Sequence, residues 1–420
     1  MKTKVFAKAL VCAGLLLPAA TSSLATEIPF EEVLERSRQS PALARAEAEV
    51  ERQRAAQLRA ATYPHNPELE FELADRRGEG RSTTDRGVQL SQRIEWGGQR
   101  EQRRQAADAT LKAAEGTLRQ ARASVLGAAT KSFAQALYHR ELLALREVEA
   151  ELARQSTAIT ERRLEAGSAT AIDLALAQAS HARVERAWAL AKGDYGSAQA
   201  SLAEQLGAAE SALLEPAGAL PAIIPPPPLD ELMVQALAGR GDVEAASARV
   251  EAAQARHRLA QALRRPDLTV SARSGREEGD DISGLAFSIP IPVFQRQRGE
   301  IAESSSGIQI ASSELDTSRW LARREIAAAH GRLMSALEAQ RATEDLGVAP
   351  LEEGLSLLER AFDAGKIGAA ELLLYRRELI DGRREALAAE RDVWLAGVEL
   401  MIATGGVFAP WDEMEKESTP

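Results

Sequence analysis

Carboxylates set at regular intervals are the residues of this 420-residue chain best placed to act on a ligand. Glu68, Glu70 and Glu72 occupy every second position of the run Glu-Leu-Glu-Phe-Glu-Leu-Ala. In an extended strand all three project from one face and offer a negative strip to cations. Asp173 and Glu371 each stand six residues after a glycine, Gly167 and Gly365. In the first turn of a helix such an acid meets the positive end of the helix dipole, so capping accounts for both. The histidines His65, His139, His181, His257 and His330 are scattered, and no pair has the i, i+4 spacing of a helical metal site. No methionine or cysteine cluster exists, and no nucleophile elbow, phosphate loop or dinucleotide fingerprint is correctly placed. These residues suit electrostatic attraction of cations, without a high-affinity metal site, a cofactor or a catalytic centre.

The N-terminus reads as a secretion signal. Lys2, Lys4 and Lys8 precede an apolar run from Val11 to Ala20, and Ser23-Leu24-Ala25 is a small-x-small cleavage site. The run is too short for a spanning helix. Cys12, the only cysteine, follows Val11 where a lipid-attachment site needs a small residue, so a lipoprotein reading is disfavoured. Cleavage after Ala25 leaves no cysteine, hence no disulfide or thiol chemistry. It also leaves 49 basic against 62 acidic residues, which argues against nucleic acid as a partner. No later apolar run could form a transmembrane helix, but a β-barrel spans bilayers on a weaker signal. Aromatic residues make up 4% of the chain, and abundant alanine favours closely packed helices instead.

The elements that hold these residues come in two copies. Arg163-Leu164-Glu165-Ala166-Gly167 returns as Ala361-Phe362-Asp363-Ala364-Gly365, a shift of 198. Trp96 maps onto Phe294 and Gly207 onto Gly405 with the same shift, so a whole unit is duplicated. In the first copy, 26–214, the pattern predicts a helix over 28–62, a β-hairpin over 66–96, a helix over 99–165 and another over 170–206. Leu69, Phe71 and Leu73 oppose the three glutamates, while Val88, Leu90, Ile94 and Trp96 oppose Gln89, Ser91, Arg93 and Glu95. The second copy, 229–405, repeats the plan with helices over 229–264, about 295–363 and 369–404. Its hairpin over 266–293 sets Leu268, Val270 and Ala272, then Leu285, Phe287, Ile289 and Ile291, on one face. Residues 215–228, with Pro225-Pro226-Pro227-Pro228, form an extended linker, and 406–420 an acidic, poorly ordered tail.

Lengths decide the packing. A helix over 99–165 has about 67 residues and runs roughly 100 Å, with Leu111, Leu118 and Val125 at heptad-like spacing. The two shorter helices of each copy together match its long one, so stacked end to end they would line it as a pillar. Strand runs of about 9–10 residues, apolar on one face and polar on the other, are the signature of a transmembrane β-strand. Four strands cannot close a barrel, so oligomerisation must complete it. A small soluble sheet is the bland alternative, but helices pointing away from the hairpins could not fold back to cover its apolar faces.

This repeat resembles the TolC family of outer-membrane factors over nearly the whole mature chain. The most specific pieces are the turns Arg162 to Leu176 and Arg360 to Leu374, each reading Arg-x₄-Gly-x₅-acidic-Leu, and the strand-to-helix joints Gln92 to Arg100 and Ser288 to Phe294. With Asn66-Pro67-Glu68-Leu69, the first joint looks most like the CzcC branch, which serves heavy-metal efflux pumps. The resemblance implies a mainly α chain with a transmembrane β part, assembled as a homotrimer with twelve strands in one barrel above a helical tunnel in the periplasm. It implies a passive outer-membrane duct that docks a periplasmic adaptor and an inner-membrane RND-type pump and catalyses nothing. It places Glu371 at the tunnel's gate, although the second acid common in the family is here Leu374; Asp173 is the weaker gate candidate. Gly167 and Gly365, flanked by Arg162, Leu164, Arg360 and Phe362, become adaptor-contact turns. Glu68, Glu70 and Glu72 would line the barrel lumen, and Trp96 and Phe294 would sit at the membrane interface. Competing readings are the same duct for drugs or type I protein secretion, and a soluble periplasmic coiled-coil adaptor or scaffold.

Overall fold

The computed structural model describes residues 26–78, 81–208, 214–364 and 366–411; the expected signal segment lies outside them. β1 (Thr26–Pro29) leads into α1 (Phe30–Arg38) and α2 (Pro41–Ala61). The single helix expected over 28–62 is therefore divided. The Ser40 hydroxyl accepts the Ala42 N–H at 3.4 Å, and Pro41 opens α2 where no N–H is needed, so a new helix starts there. The hairpin β2 (Glu68–Gly78) and β3 (Arg81–Ile94) follows, then α3 (Gln99–Glu165), 67 residues without interruption, and α4 (Ala171–Gln205).

β4 (Leu214–Ala217) pairs in parallel with β1, which corrects the expectation of a linker without secondary structure over 215–228. The second copy begins with α5 (Leu229–Gly239) and α6 (Gly241–Ala262), again two helices where one was expected. The break falls at Arg240, extended between two glycines of poor helix propensity. Its buried guanidinium holds the Ala403 carbonyl at 2.7 Å and grips Asp242 and Glu325. The hairpin β5 (Leu268–Glu277) and β6 (Asp280–Ser288) leads to α7 (Arg298–Thr343), a π-helical turn (Glu344–Val348), α8 (Ala349–Asp363) and α9 (Ala369–Ala403). The expected second long helix is thus interrupted. Pro350 lacks the N–H that residue 346 would accept, and its ring crowds that carbonyl, so the ladder reroutes just before it.

Both α2 and α4 pack along α3, and α6 and α9 along α7, while α3 also meets α6 and α9. Alanine makes close approach possible: Ala106, Ala109 and Ala113 of α3 and Ala245, Ala248 and Ala252 of α6 are buried. At Gly116 a Cβ would stand 2.7 Å from the Gly241 carbonyl oxygen, so the two backbones nearly touch there. An aromatic core ties the middle of the molecule together. Phe30 meets Phe133, Trp394 and Trp411 at centroid distances of 5.3–5.8 Å, and Trp411 stacks on Trp394. The tail expected to be loose after Gly406 is therefore anchored as far as Trp411; residues 412–420 lie outside the described residues.

The four long strands form one antiparallel sheet in the order β2-β3-β5-β6, leaving β2 and β6 as open edges. Registers Leu69↔Leu90, Leu90↔Ala272 and Ala272↔Leu285 align one apolar face across all four strands. That face is exposed, with Phe71 73%, Leu285 72% and Phe287 68% accessible.

Candidate channel site: tunnel tips, strand joints and barrel face

At the far end of the first pillar, α3 stops in a Schellman closure. Gly167, at φ +74°, donates its N–H to Leu164 O (2.9 Å), and Ser168 donates to Arg163 O (2.7 Å). Thr170 then caps α4. Its backbone N–H and hydroxyl donate to Asp173 Oδ2 at 2.8 and 2.7 Å, while the Asp173 N–H donates to Thr170 Oγ1 at 3.1 Å. This reciprocal box holds the Asp173 carboxyl below its ordinary range, first through the backbone N–H and then through the hydroxyl.

The second tip keeps the closure and loses the box. Lys366 donates to Ala361 O (2.9 Å), as Ser168 does to Arg163. Gly365 lies outside the described residues. The position matching Thr170 is Gly368, which has no side chain to offer. Glu371 is exposed, and its carboxylate makes no hydrogen bond or ion pair among the described residues. One acid is thus committed to its own helix and the other is free, a difference readable as Thr170 against Gly368 but not drawn from the sequence pattern. Leu374 is 68% exposed, and Leu373, Leu374 and Arg377 border a groove with Ile159, Thr160 and Arg163 of α3. Arg162 and Arg360 are exposed beside the turns, each donating Nε to the carbonyl four residues back (3.2 and 3.1 Å). Leu164 is half-buried, and Phe362 lies in the last turn of α8. Ion pairs Arg376–Glu359 (2.9 Å) and Arg383–Glu352 (2.8 Å) zip α8 to α9.

At the other end of the pillars the strand joints of the two copies clasp each other. Trp96 Nε1 donates to Pro266 O (2.6 Å), and Gln99 Nε2 donates to Arg265 O and Asp267 Oδ1 (3.3 and 3.2 Å). Arg103 holds Glu95 through both guanidinium prongs (2.6 and 2.7 Å). Trp96 is 60% and Phe294 97% exposed, just where the sheet gives way to helix.

Glu68, Glu70 and Glu72 lie together on the polar face of β2, across from Ser91, Gln89 and Gly87. Arg273, opposite Gln89 on β5, reaches Glu72 at 3.3 Å and also pairs with Glu277. Glu68 and Glu70 have no ion pair among the described residues. Among those residues there is also no cluster of histidine, cysteine or acid able to hold a metal ion, and no helix apolar and long enough to cross a membrane.

The described residues thus form paired long helices that carry an open sheet with a bare apolar face. The outer membrane efflux protein family matches the chain over 34–208 and again over 232–406, and the chain belongs to that family. The starts at 34 and 232 and the ends at 208 and 406 are both 198 apart. The chain is similar to the cobalt-zinc-cadmium resistance protein CzcC of Cupriavidus metallidurans, 27% identical over 320 residues covering 76% of each chain. It is also similar to the pyoverdine export outer membrane protein OpmQ of Pseudomonas putida, 28% identical over 390 residues covering 84% of this chain and 81% of that one. Its fold matches the outer membrane protein VceC of Vibrio cholerae, with a TM-score of 0.70 at 20% identity over 90% of this chain and 96% of that one. The protein is an outer-membrane efflux channel, a passive duct with a helical tunnel and a β part.

Proposed function

We propose that three copies of the chain assemble into a duct for heavy-metal cations, fed by an inner-membrane RND-type pump through a periplasmic adaptor. The observation that carries the assembly is the four-stranded sheet with two open edges and an exposed apolar face. Three such sheets supply twelve strands, enough to close a barrel, remove every edge and turn the apolar face to lipid. The unpaired Glu68 and Glu70 then line the lumen, and Trp96 and Phe294 stand at the membrane interface.

At the opposite end Glu371 is the gate residue. Three free carboxylates around a threefold axis repel one another and favour cations at the constriction. Asp173, held by Thr170, serves its own helix instead. The turns at Gly167 and Gly365, with Arg162, Leu164, Arg360 and Phe362 beside them, are the surfaces offered to the adaptor. The metal cargo is supported by the likeness to a cobalt-zinc-cadmium resistance protein and by the acidic strip. The described residues hold no cluster able to bind a metal ion tightly, which suits a conduit that must release what it carries.

Deleting the gene and scoring growth on cobalt, zinc, cadmium and a panel of drugs tests the cargo. Metal sensitivity restored by the intact gene is expected. Unchanged metal tolerance beside new drug sensitivity would assign the duct to organic cargo.

A further inference from the structure

The apolar face of the sheet ends in a row of charge. Moving away from the helices, the rows on this face pair Leu69, Leu90, Ala272 and Leu285, then Phe71, Val88, Ser274 and Ser283, then Leu73, Arg86, Arg276 and Asp281. Arg86 and Arg276 are direct cross-strand partners. Like charges placed so destabilise a sheet unless something neutralises them. Asp281 meets Arg276 through both prongs at 2.9 and 3.2 Å and also feels the Arg86 charge, though it forms no ion pair with it. Arg86 is exposed and makes no hydrogen bond or ion pair among the described residues. Asp75, one row further out on the same face, accepts the Thr84 hydroxyl at 2.9 Å and forms no ion pair with Arg86.

The adjoining row keeps the two arginines close. Gly87 and Gly275 are opposed, and a Cβ on Gly275 would stand 2.5 Å from the Arg86 carbonyl oxygen and 3.0 Å from Gly87 Cα. The strands approach here as only glycine permits. Val88 and Leu73 flank Arg86 on the same face, which puts it at the edge of the apolar band, where a long stem covers apolar surface and a charged head reaches past it. This edge is the one remote from the helices. In an outer-membrane channel whose helices stand in the periplasm, it meets the outer leaflet.

We propose that Arg86 and Arg276 together bind the phosphate of a phosphorylated glycolipid in the outer leaflet, resting on the reading that this sheet faces lipid. A phosphate between two planar guanidiniums accepts forked, charge-assisted hydrogen bonds and removes their repulsion. Arg86 supplies a guanidinium with no ion-pair partner among the described residues, and Arg276, already oriented by Asp281, supplies a second fork.

Full-length protein extracted in mild detergent and stripped of lipid would be titrated with bisphosphorylated lipid A, and separately with its dephosphorylated form, by native mass spectrometry. The intact protein is expected to prefer the phosphorylated lipid by about tenfold, the scale of one charge-assisted hydrogen bond. Arg86→Gln, which breaks no hydrogen bond or ion pair among the described residues, is expected to abolish that preference while leaving the mass of the assembly unchanged. Equal binding of the two lipids, or an undiminished preference in Arg86→Gln, would overturn the assignment. Displacement of the lipid by an equal concentration of inorganic phosphate would overturn the lipid in favour of a free anion. A protein that stays soluble and dispersed without detergent would instead overturn the lipid-facing sheet itself.

Discussion

Gly116 of α3 lies where the two copies cross, and replacing it with alanine sets two physical effects against each other. In an isolated helix the change is favourable by about 1 kcal/mol, because glycine loses more backbone entropy on folding. Here the added methyl would lie 2.7 Å from the Gly241 carbonyl oxygen, 3.0 Å from the Ala245 nitrogen and 3.2 Å from Ala245 Cβ. The two nearest atoms belong to the α6 backbone and cannot rotate aside, so the helices must separate by several tenths of an ångström. Overpacking of this kind costs about 1–3 kcal/mol, and backbone opposition puts it in the upper half of that range. The net expectation for Gly116→Ala is a loss of about 1–2 kcal/mol, seen as a melting midpoint a few degrees lower in detergent at fixed protein concentration. Gly241→Ala should behave alike, since its methyl would overlap the Gly116 carbonyl. Differential scanning fluorimetry on the tryptophan signal would read both. A melting point equal to or above that of the unaltered protein would show that helix propensity wins, and the close α3–α6 crossing would be refuted.

Other expectations follow from the gate, the helix break and a buried imidazole. Glu371→Gln should lower cation-over-anion permeability in planar bilayers by about twofold or more, as loss of a charge at a constriction implies. Asp173→Asn should leave permeability unchanged and instead speed amide exchange in the first turn of α4, where the box with Thr170 is lost. Arg240→Met should cost about 2–3 kcal/mol by chemical denaturation, since the buried Ala403 carbonyl loses its donor. Lysine at that position should recover less than half, because one ammonium cannot reproduce the fork. His139 has its imidazole pKa pushed below the usual 6.5 by burial, and its buried Nδ1 has no hydrogen-bond partner among the described residues. The unfolded chain then takes up the proton first as pH falls, so stability present above about pH 6.5 is lost below it. The midpoint shift between pH 7.5 and 5.5 should be smaller in His139→Asn than in the unaltered chain.

The long regular elements were legible because their signals are local. Alternation fixed the four strands, and the proline-free run from Gln99 to Glu165 matched α3 from end to end. Interruptions were harder. Pro350 lies inside the pattern that suggested one helix over 295–363, and its effect is a π-turn before it rather than a stop. At Gly239-Arg240-Gly241 the two glycines weaken the helix locally, and a distant carbonyl and carboxylate hold Arg240 in the extended break. The pairing of β1 with β4, and the seating of Trp411 on Trp394, are contacts between remote segments that no local pattern records. In the candidate gate, spacing alone made Asp173 and Glu371 equivalent. The difference lies three residues upstream of each, where Thr170 ties up one carboxylate and Gly368 leaves the other exposed.

The number of chains in the detergent-extracted channel bears most directly on the whole account. One chain offers four strands with two open edges, and an efflux duct needs those edges closed. Native mass spectrometry of protein extracted from outer membranes should give three chains per particle. A particle of one or two chains, stable and conducting, would contradict the threefold barrel and every role assigned to Glu371 and the lumen glutamates.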